Sequence, residues 1–174
     1  MGFFSGLLKK IKEAFSAKAP AATASCPVAD ELQDIADAVN PEDSNVNCGN
    51  IIDAVIDRLN GSDPLAVAPA EQDGSFDEIA ARHGTALEWG HSFDEAFDAI
   101  NAAPEGTVAV LGIDYGGGGG SHVVVITKQD GVATIVEAQN WGPDSPRETI
   151  TTAERANERY NPGGTTTVGY GVLP

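Results

Sequence analysis

Two β-branched runs, Val123–Ile126 and Val132–Val136, flank the dipeptide Asp130-Gly131, and this stretch restricts the fold more than any other. Val and Ile suit a pleated, half-buried strand. An Asp-Gly pair supplies the two positive-φ residues of a type I′ turn, which predicts a two-residue hairpin with Gln129 opposite Val132. The register then places His122 opposite Gln139 and Val124 opposite Glu137. Side chains alternate between strand faces. His122, Glu137 and Gln139 therefore share one face, and Val123, Val125, Val136 and Ala138 share the other. A three-residue loop would shift the parity and separate the polar trio.

The trio lacks a nucleophile, and the chain offers one upstream. Ile51, Ile52, Val55, Ile56 and Leu59 fall on one helical stripe, which predicts a helix from Cys48 to Asn60. Asn47 or Asn45 can cap its start, and Gly61 can take the left-handed stop. A thiol at a helix N-terminus feels the positive end of the macrodipole, which favours the thiolate. The bland alternative for Cys48 is a small buried hydrophobe; its place at the mouth of the helix argues against that. A cysteine and an imidazole, with an acid or amide to orient the ring, form an activated nucleophile.

Asn47-Cys48 opening an apolar helix, Ser121-His122 opening a strand and Glu137-Ala138-Gln139 closing the next resemble the papain-like fold in kind and order. They are most similar to the papain-fold domains of bacterial polymorphic toxins, which include protein-glutamine deamidases. The resemblance covers residues 29–174. It implies an α+β fold, with N-terminal helices carrying the nucleophilic Cys at a helix start and packed on a C-terminal antiparallel β-sheet. It also implies Cys48, His122 and Glu137 as the catalytic residues. The oxyanion would be held by the Cys48 backbone N–H and a side-chain amide from Asn47, Gln139 or Asn45. The family's Asp is Glu137 here, one methylene longer. Asn140-Trp141 is similar to the Asn-x-Trp of papain-type peptidases, so Asn140 is an alternative third member, although the parity puts it on the face away from His122. Those peptidases place a Gln six residues before the Cys, where this chain has Glu42.

The expected function is therefore acyl transfer through a thioester, by a toxin or effector that deamidates glutamine side chains of a target protein. A papain-like cysteine peptidase or cell-wall amidase is the alternative enzyme. A non-catalytic adaptor on the same scaffold is the alternative outside catalysis. No cofactor or metal is expected; His83 and His91 lack metal-ligand spacing.

Charge narrows the partners. Lys9, Lys10, Lys12 and Lys18, four of the ten basic residues, fall in residues 1–20 with one of the 26 acidic ones, Glu13, and the whole chain carries −16. The rest of the chain is strongly acidic, repels nucleic acid and suits a basic partner, such as a cognate inhibitor protein. Solubility, or adaptation to high salt, would give the same bias. Phe3, Phe4, Leu7, Leu8, Ile11, Ala14 and Phe15 form one apolar stripe flanked by lysines. This divides the chain into a basic amphipathic helix over 1–20, a linker over 21–28 and a catalytic domain over 29–174. The first segment does not read as a secretory signal and is too short and charged to span a membrane. It suits docking on a carrier or secretion apparatus, contact with a membrane surface, or a place in the core. Two cysteines, Cys26 and Cys48, imply reduced thiols. The protein is expected in the producer's cytoplasm, with delivery into a target cell by a secretion or injection system.

Other local signals complete the layout. Residues 28–40 predict a short acidic helix. Ser75 with Glu78, and Ser92 with Glu95, are capping boxes opening helices. Leu65–Val67 suggests a short strand, and residues 107–113 a buried one. The glycine run at 116–120 leads into a strand and not a helix, so it predicts a flexible loop and lid rather than a phosphate cradle. A charged helix over 149–160 and a last strand over 165–172 close the sheet.

Overall fold

The structure, a computed structural model, describes residues 29–174. The basic helix over 1–20, the linker over 21–28 and Cys26 lie outside the described residues. The elements run α1 (Ala29–Ala38), α2 (Cys48–Asn60), α3 (Phe76–Arg82), β1 (Glu88–His91), α4 (Phe93–Ala102), β2 (Val108–Asp114), β3 (Ser121–Gln129), β4 (Val132–Glu137), β5 (Glu148–Ile150), α5 (Ala153–Tyr160) and β6 (Thr167–Val172). The strands form one sheet in the order β1-β6-β2-β3-β4-β5, with every neighbouring pair antiparallel.

The hairpin forms in the expected register, with Gln129 opposite Val132 and Val125 opposite Val136. Asp130 (φ 51°) and Gly131 (φ 78°) both take positive φ, as a type I′ turn requires. The alternation sorts the two faces. Val123, Val125, Val136 and Ala138 pack with Leu32 and Ala36 of α1 and Ile52 and Val55 of α2. Val124, Ile126, Ala133 and Ile135 pack with Phe93 and Phe97 of α4 and Tyr160 of α5. The domain is α+β, with α1 and α2 on one face of the sheet and α4 and α5 on the other.

Local chemistry sets the ends of the elements. Both capping boxes form, Ser75 with Glu78 and Ser92 with Glu95. Gly61 closes α2 in the left-handed conformation, its N–H donating to Arg58 O. Asn47 holds the N-cap position of α2, but its side chain makes no capping bond. Leu65–Val67 is not a strand: Arg58 Nε donates to Ala66 O, and Ala68 N–H to Val39 O, so the segment pins α1 to α2. The helix expected over 149–160 begins only at Ala153, where Thr152 caps it, and the residues before it form β5. β6 lies inside the sheet, between β1 and β2.

The glycine run is a hydrogen-bonded turn. Tyr115 N–H donates to Gly120 O at 3.2 Å and Gly119 N–H to Gly116 O at 2.8 Å. Gly116, Gly117, Gly118 and Gly120 all have φ between 56° and 86°. The run is glycine because the turn needs left-handed backbone at four positions.

Candidate active site

Cys48 and His122 arrive from opposite sides of one end of the sheet. Cys48 opens α2 and is partly exposed. His122 is the second residue of β3, opposite Ile113 of β2, and is only 4 % exposed. The His122 ring and the backbone N–H groups of Val123 and Gly49 lie near enough to the Cys48 thiol to stabilise its thiolate. Gly49 is required beside it, because a Cβ there would collide with the Asp73 carbonyl oxygen and the Ile79 side chain.

Glu137 ends β4 and is buried to 1 % exposure. Its Oε2 lies 2.7 Å from His122 Nε2 and accepts the Tyr160 hydroxyl at 2.7 Å. Its Oε1 accepts the Gln139 backbone N–H at 2.8 Å. The extra methylene of Glu therefore does not prevent contact with the imidazole. Glu137 also sits directly opposite Glu148 of β5, and like charges across a ladder repel. Arg159 of α5 relieves this. Its Nη1 donates to Glu148 Oε1 at 2.9 Å, and its Nε lies 3.8 Å from Glu137 Oε2, with the side chain fully buried.

The pKa directions follow from these contacts. Burial acts to raise the Cys48 pKa, but the hydrogen bond and charge of His122, with the Val123 and Gly49 N–H groups, carry it below its ordinary value. Burial acts to lower the His122 pKa, but the Glu137 carboxylate and the contact with Cys48 push it up to about 9. Burial acts to raise the Glu137 pKa, yet His122, Arg159 and the Tyr160 hydroxyl hold it below the usual carboxylate range. All three shifts favour a thiolate, an imidazolium and a carboxylate in a row.

The auxiliary residues divide. Asn47 is fully buried, and its amide N–H groups are spent on Asn40 Oδ1 at 3.1 Å and Pro69 O at 2.8 Å. It has no donor left for an oxyanion, and instead ties the loop before Cys48 in place. Gln139 lies past the end of β4, so the expected cross-strand pair with His122 does not form. Its Nε2 donates to Asn47 Oδ1 at 3.3 Å, and its Oε1 accepts Trp141 Nε1 at 3.3 Å. Asn45 is exposed on the cleft wall. Asn140 is not the ring's partner: it is exposed and accepts the Gly142 N–H at 3.1 Å, while Glu137 takes the Nε2 position. Trp141 packs edge-on against the His122 ring at 4.9 Å between centroids.

The sequence reading overlooked Tyr115, Arg159 and Tyr160. The one available signal was the spacing of Ala156, Arg159 and Tyr160 on a single face of α5, all three buried. The Cys48–His122 pair faces a cleft of about 810 Å³, with Val46, Phe76, Ile79 and Trp141 as its apolar lining. No group of three or more potential metal ligands occurs among the described residues.

Residues 46–141 match the family model described as papain fold toxin 1, glutamine deamidase. The chain belongs to this family. The match spans Asn47, Cys48, His122, Glu137 and Gln139, so the order that carried the resemblance lies inside it. The crystal structure of the Pseudomonas avirulence protein AvrPphB is similar at a TM-score of 0.35 and 11 % identity, over 70 % of this chain and 69 % of that one. At that level of likeness no residue role is carried across. No curated protein matches the chain significantly. The family makes the chain a papain-like, cysteine-dependent toxin enzyme. Arg159 and Tyr160, which brace Glu137, lie beyond the matched residues.

Proposed function

We propose that this toxin deamidates glutamine side chains of a target protein through a thioester on Cys48. The observation that carries the proposal is the unbroken line of contacts from Cys48 through His122 to Glu137, opening on one cleft. The Cys48 thiolate attacks the carboxamide carbon, a C–S bond forms, and the carbonyl oxygen becomes an oxyanion. The oxyanion collapses as His122 passes its proton to the leaving nitrogen, and the C–N bond breaks to release ammonia. Water then attacks the thioester while neutral His122 takes its proton. The C–S bond breaks, leaving a glutamate side chain and restoring thiolate and imidazolium. Glu137 holds the ring and stabilises its charged form throughout.

Partners follow from charge. All six basic side chains of the described residues are engaged within the domain. Arg58 and Lys128 donate to backbone carbonyls, while Arg82, Arg147, Arg155 and Arg159 each pair with carboxylates. The field presented outward is negative, which favours a basic target or a basic cognate inhibitor. Residues 1–20 would dock the enzyme on a carrier or secretion apparatus for delivery.

Two readouts on target-cell proteins test the proposal: ammonia release, and peptide-bond cleavage followed by peptide mapping. Ammonia release with glutamine-to-glutamate conversion, absent in Cys48→Ala, is expected. Cleaved peptide bonds without ammonia would make the enzyme a peptidase. Undiminished toxicity of Cys48→Ala would remove catalysis from the account.

A further inference from the structure

Tyr115 follows β2 directly and lies beside the catalytic pair. Its backbone N–H bonds to Gly120 O, which continues the β2–β3 pairing in which Ile113 is opposite His122. By alternation Tyr115 shares the face of Ile113 and His122. It packs on the same core cluster as Phe93 and Tyr160, and it lines the cleft with Cys48 and His122.

Its hydroxyl is unusual. The oxygen is buried and has no hydrogen-bond partner among the described residues. Leaving a buried hydroxyl unpaired costs about 1–3 kcal/mol, so such a group invites a functional explanation. Tyr160, the other buried tyrosine hydroxyl of this cluster, is spent on Glu137. The electrostatic neighbours of Tyr115 are Glu137, Arg159 and Cys48; burial first, then the two anions, keep the phenol protonated well above its ordinary pKa. The group is therefore a permanent donor on a residue that lines the same cleft as the nucleophile, with no bond to break before donating.

The proposed chemistry needs such a donor beside the Cys48 N–H, and the cleft otherwise offers only the exposed Asn45 amide and the second Gln139 amide hydrogen. A tetrahedral oxyanion needs at least two N–H or O–H groups. The Cys48 backbone N–H can serve as one. Asn47 has both amide hydrogens committed, and Gln139 has one committed to Asn47. We propose that the Tyr115 hydroxyl is a catalytic oxyanion donor, hydrogen-bonding the substrate carbonyl oxygen as Cys48 adds to the carbon. This rests on Cys48 being the acyl-transfer nucleophile.

The test needs no natural substrate. The full chain and its Tyr115→Phe variant are reacted with p-nitrophenyl acetate and, separately, with iodoacetamide. Acylation by the ester passes through a tetrahedral oxyanion; alkylation is a displacement at carbon that forms none. Removing one oxyanion donor typically slows acyl transfer by about 10²–10³, and an activated ester should show at least about a tenfold loss on the same grounds. The expected result is slower acylation of Tyr115→Phe, alkylation within about twofold of the parent, and an unchanged or raised melting temperature, since no internal bond is lost. Equal acylation rates would overturn the proposal. A parallel fall in both reactions would also overturn it, because Tyr115 would then act on the thiolate. A parent whose Cys48 reacts with neither reagent would sink the acyl-transfer reading itself, and the role of Tyr115 with it.

Discussion

Replacing Glu137 by Gln changes the charge beneath His122 and almost nothing else in shape. The carboxylate contacts His122 Nε2 at 2.7 Å, Tyr160 Oη at 2.7 Å and the Gln139 N–H at 2.8 Å. A hydrogen bond to a charged group contributes about 1.5–3 kcal/mol, and 1.36 kcal/mol is one pKa unit, so the His122 pKa should fall by about one to two units. In the parent, His122 stays protonated up to about pH 9. In the variant it would lose its proton about one to two pH units lower, and Cys48 would lose the cation that depresses its own pKa. The assay is the rate of iodoacetamide alkylation across pH, since the thiolate is the reactive form. The high-pH change in the profile, where His122 loses its proton, should move about one to two units lower in Glu137→Gln. Arg159, with no exposed side-chain surface, loses one carboxylate neighbour, so a fall in stability should accompany the shift. Tyr160→Phe is the control of opposite sign: a carboxylate accepting one bond fewer is more basic and holds the His122 proton at least as tightly. A folded Glu137→Gln protein with the parent's alkylation profile would refute the reasoning.

Three further outcomes are expected. Asn47→Ala leaves Gln139 Nε2 without its acceptor and Asn40 Oδ1 with the Ser44 N–H alone, so urea unfolding should show a loss of about 1–3 kcal/mol. His122 has a folded pKa raised from 6.5 to about 9, so its stabilisation is full below the unfolded value and is lost as pH rises through the folded one; the urea-midpoint gap between parent and His122→Gln should close across that interval. Deleting residues 1–20 should leave Cys48 alkylation unchanged and abolish delivery, whereas loss of folding on deletion would place that segment in the core.

The hairpin was legible because one dipeptide, Asp130-Gly131, sets loop length, and loop length sets the parity of every residue that follows. That was enough to put His122 and Glu137 on one face. The parity failed at Gln139 because β4 ends two residues earlier. The Cys48 helix was legible from its apolar stripe and its left-handed glycine stop. The role of Asn47 was not, since spacing does not reveal which hydrogen bonds a side chain has already spent. β1 and β5 escaped notice for a different reason. They are edge strands of four and three residues, and their pairing partners rather than an apolar alternation define them. Arg159 and Tyr160 sat in a segment expected to be one polar helix. An arginine on the buried face of such a helix becomes intelligible only when Glu137 and Glu148 are seen opposite each other across the ladder.

The account depends on a cysteine kept ionised by the histidine beside it. Ultraviolet thiolate absorbance of the parent and of His122→Ala, titrated with Cys48→Ser as the blank, tests this directly. The parent should gain the Cys48 thiolate signal at lower pH than His122→Ala, which should gain it only toward the ordinary thiol range of about pH 8.5. Identical titrations of the parent and His122→Ala would contradict the account.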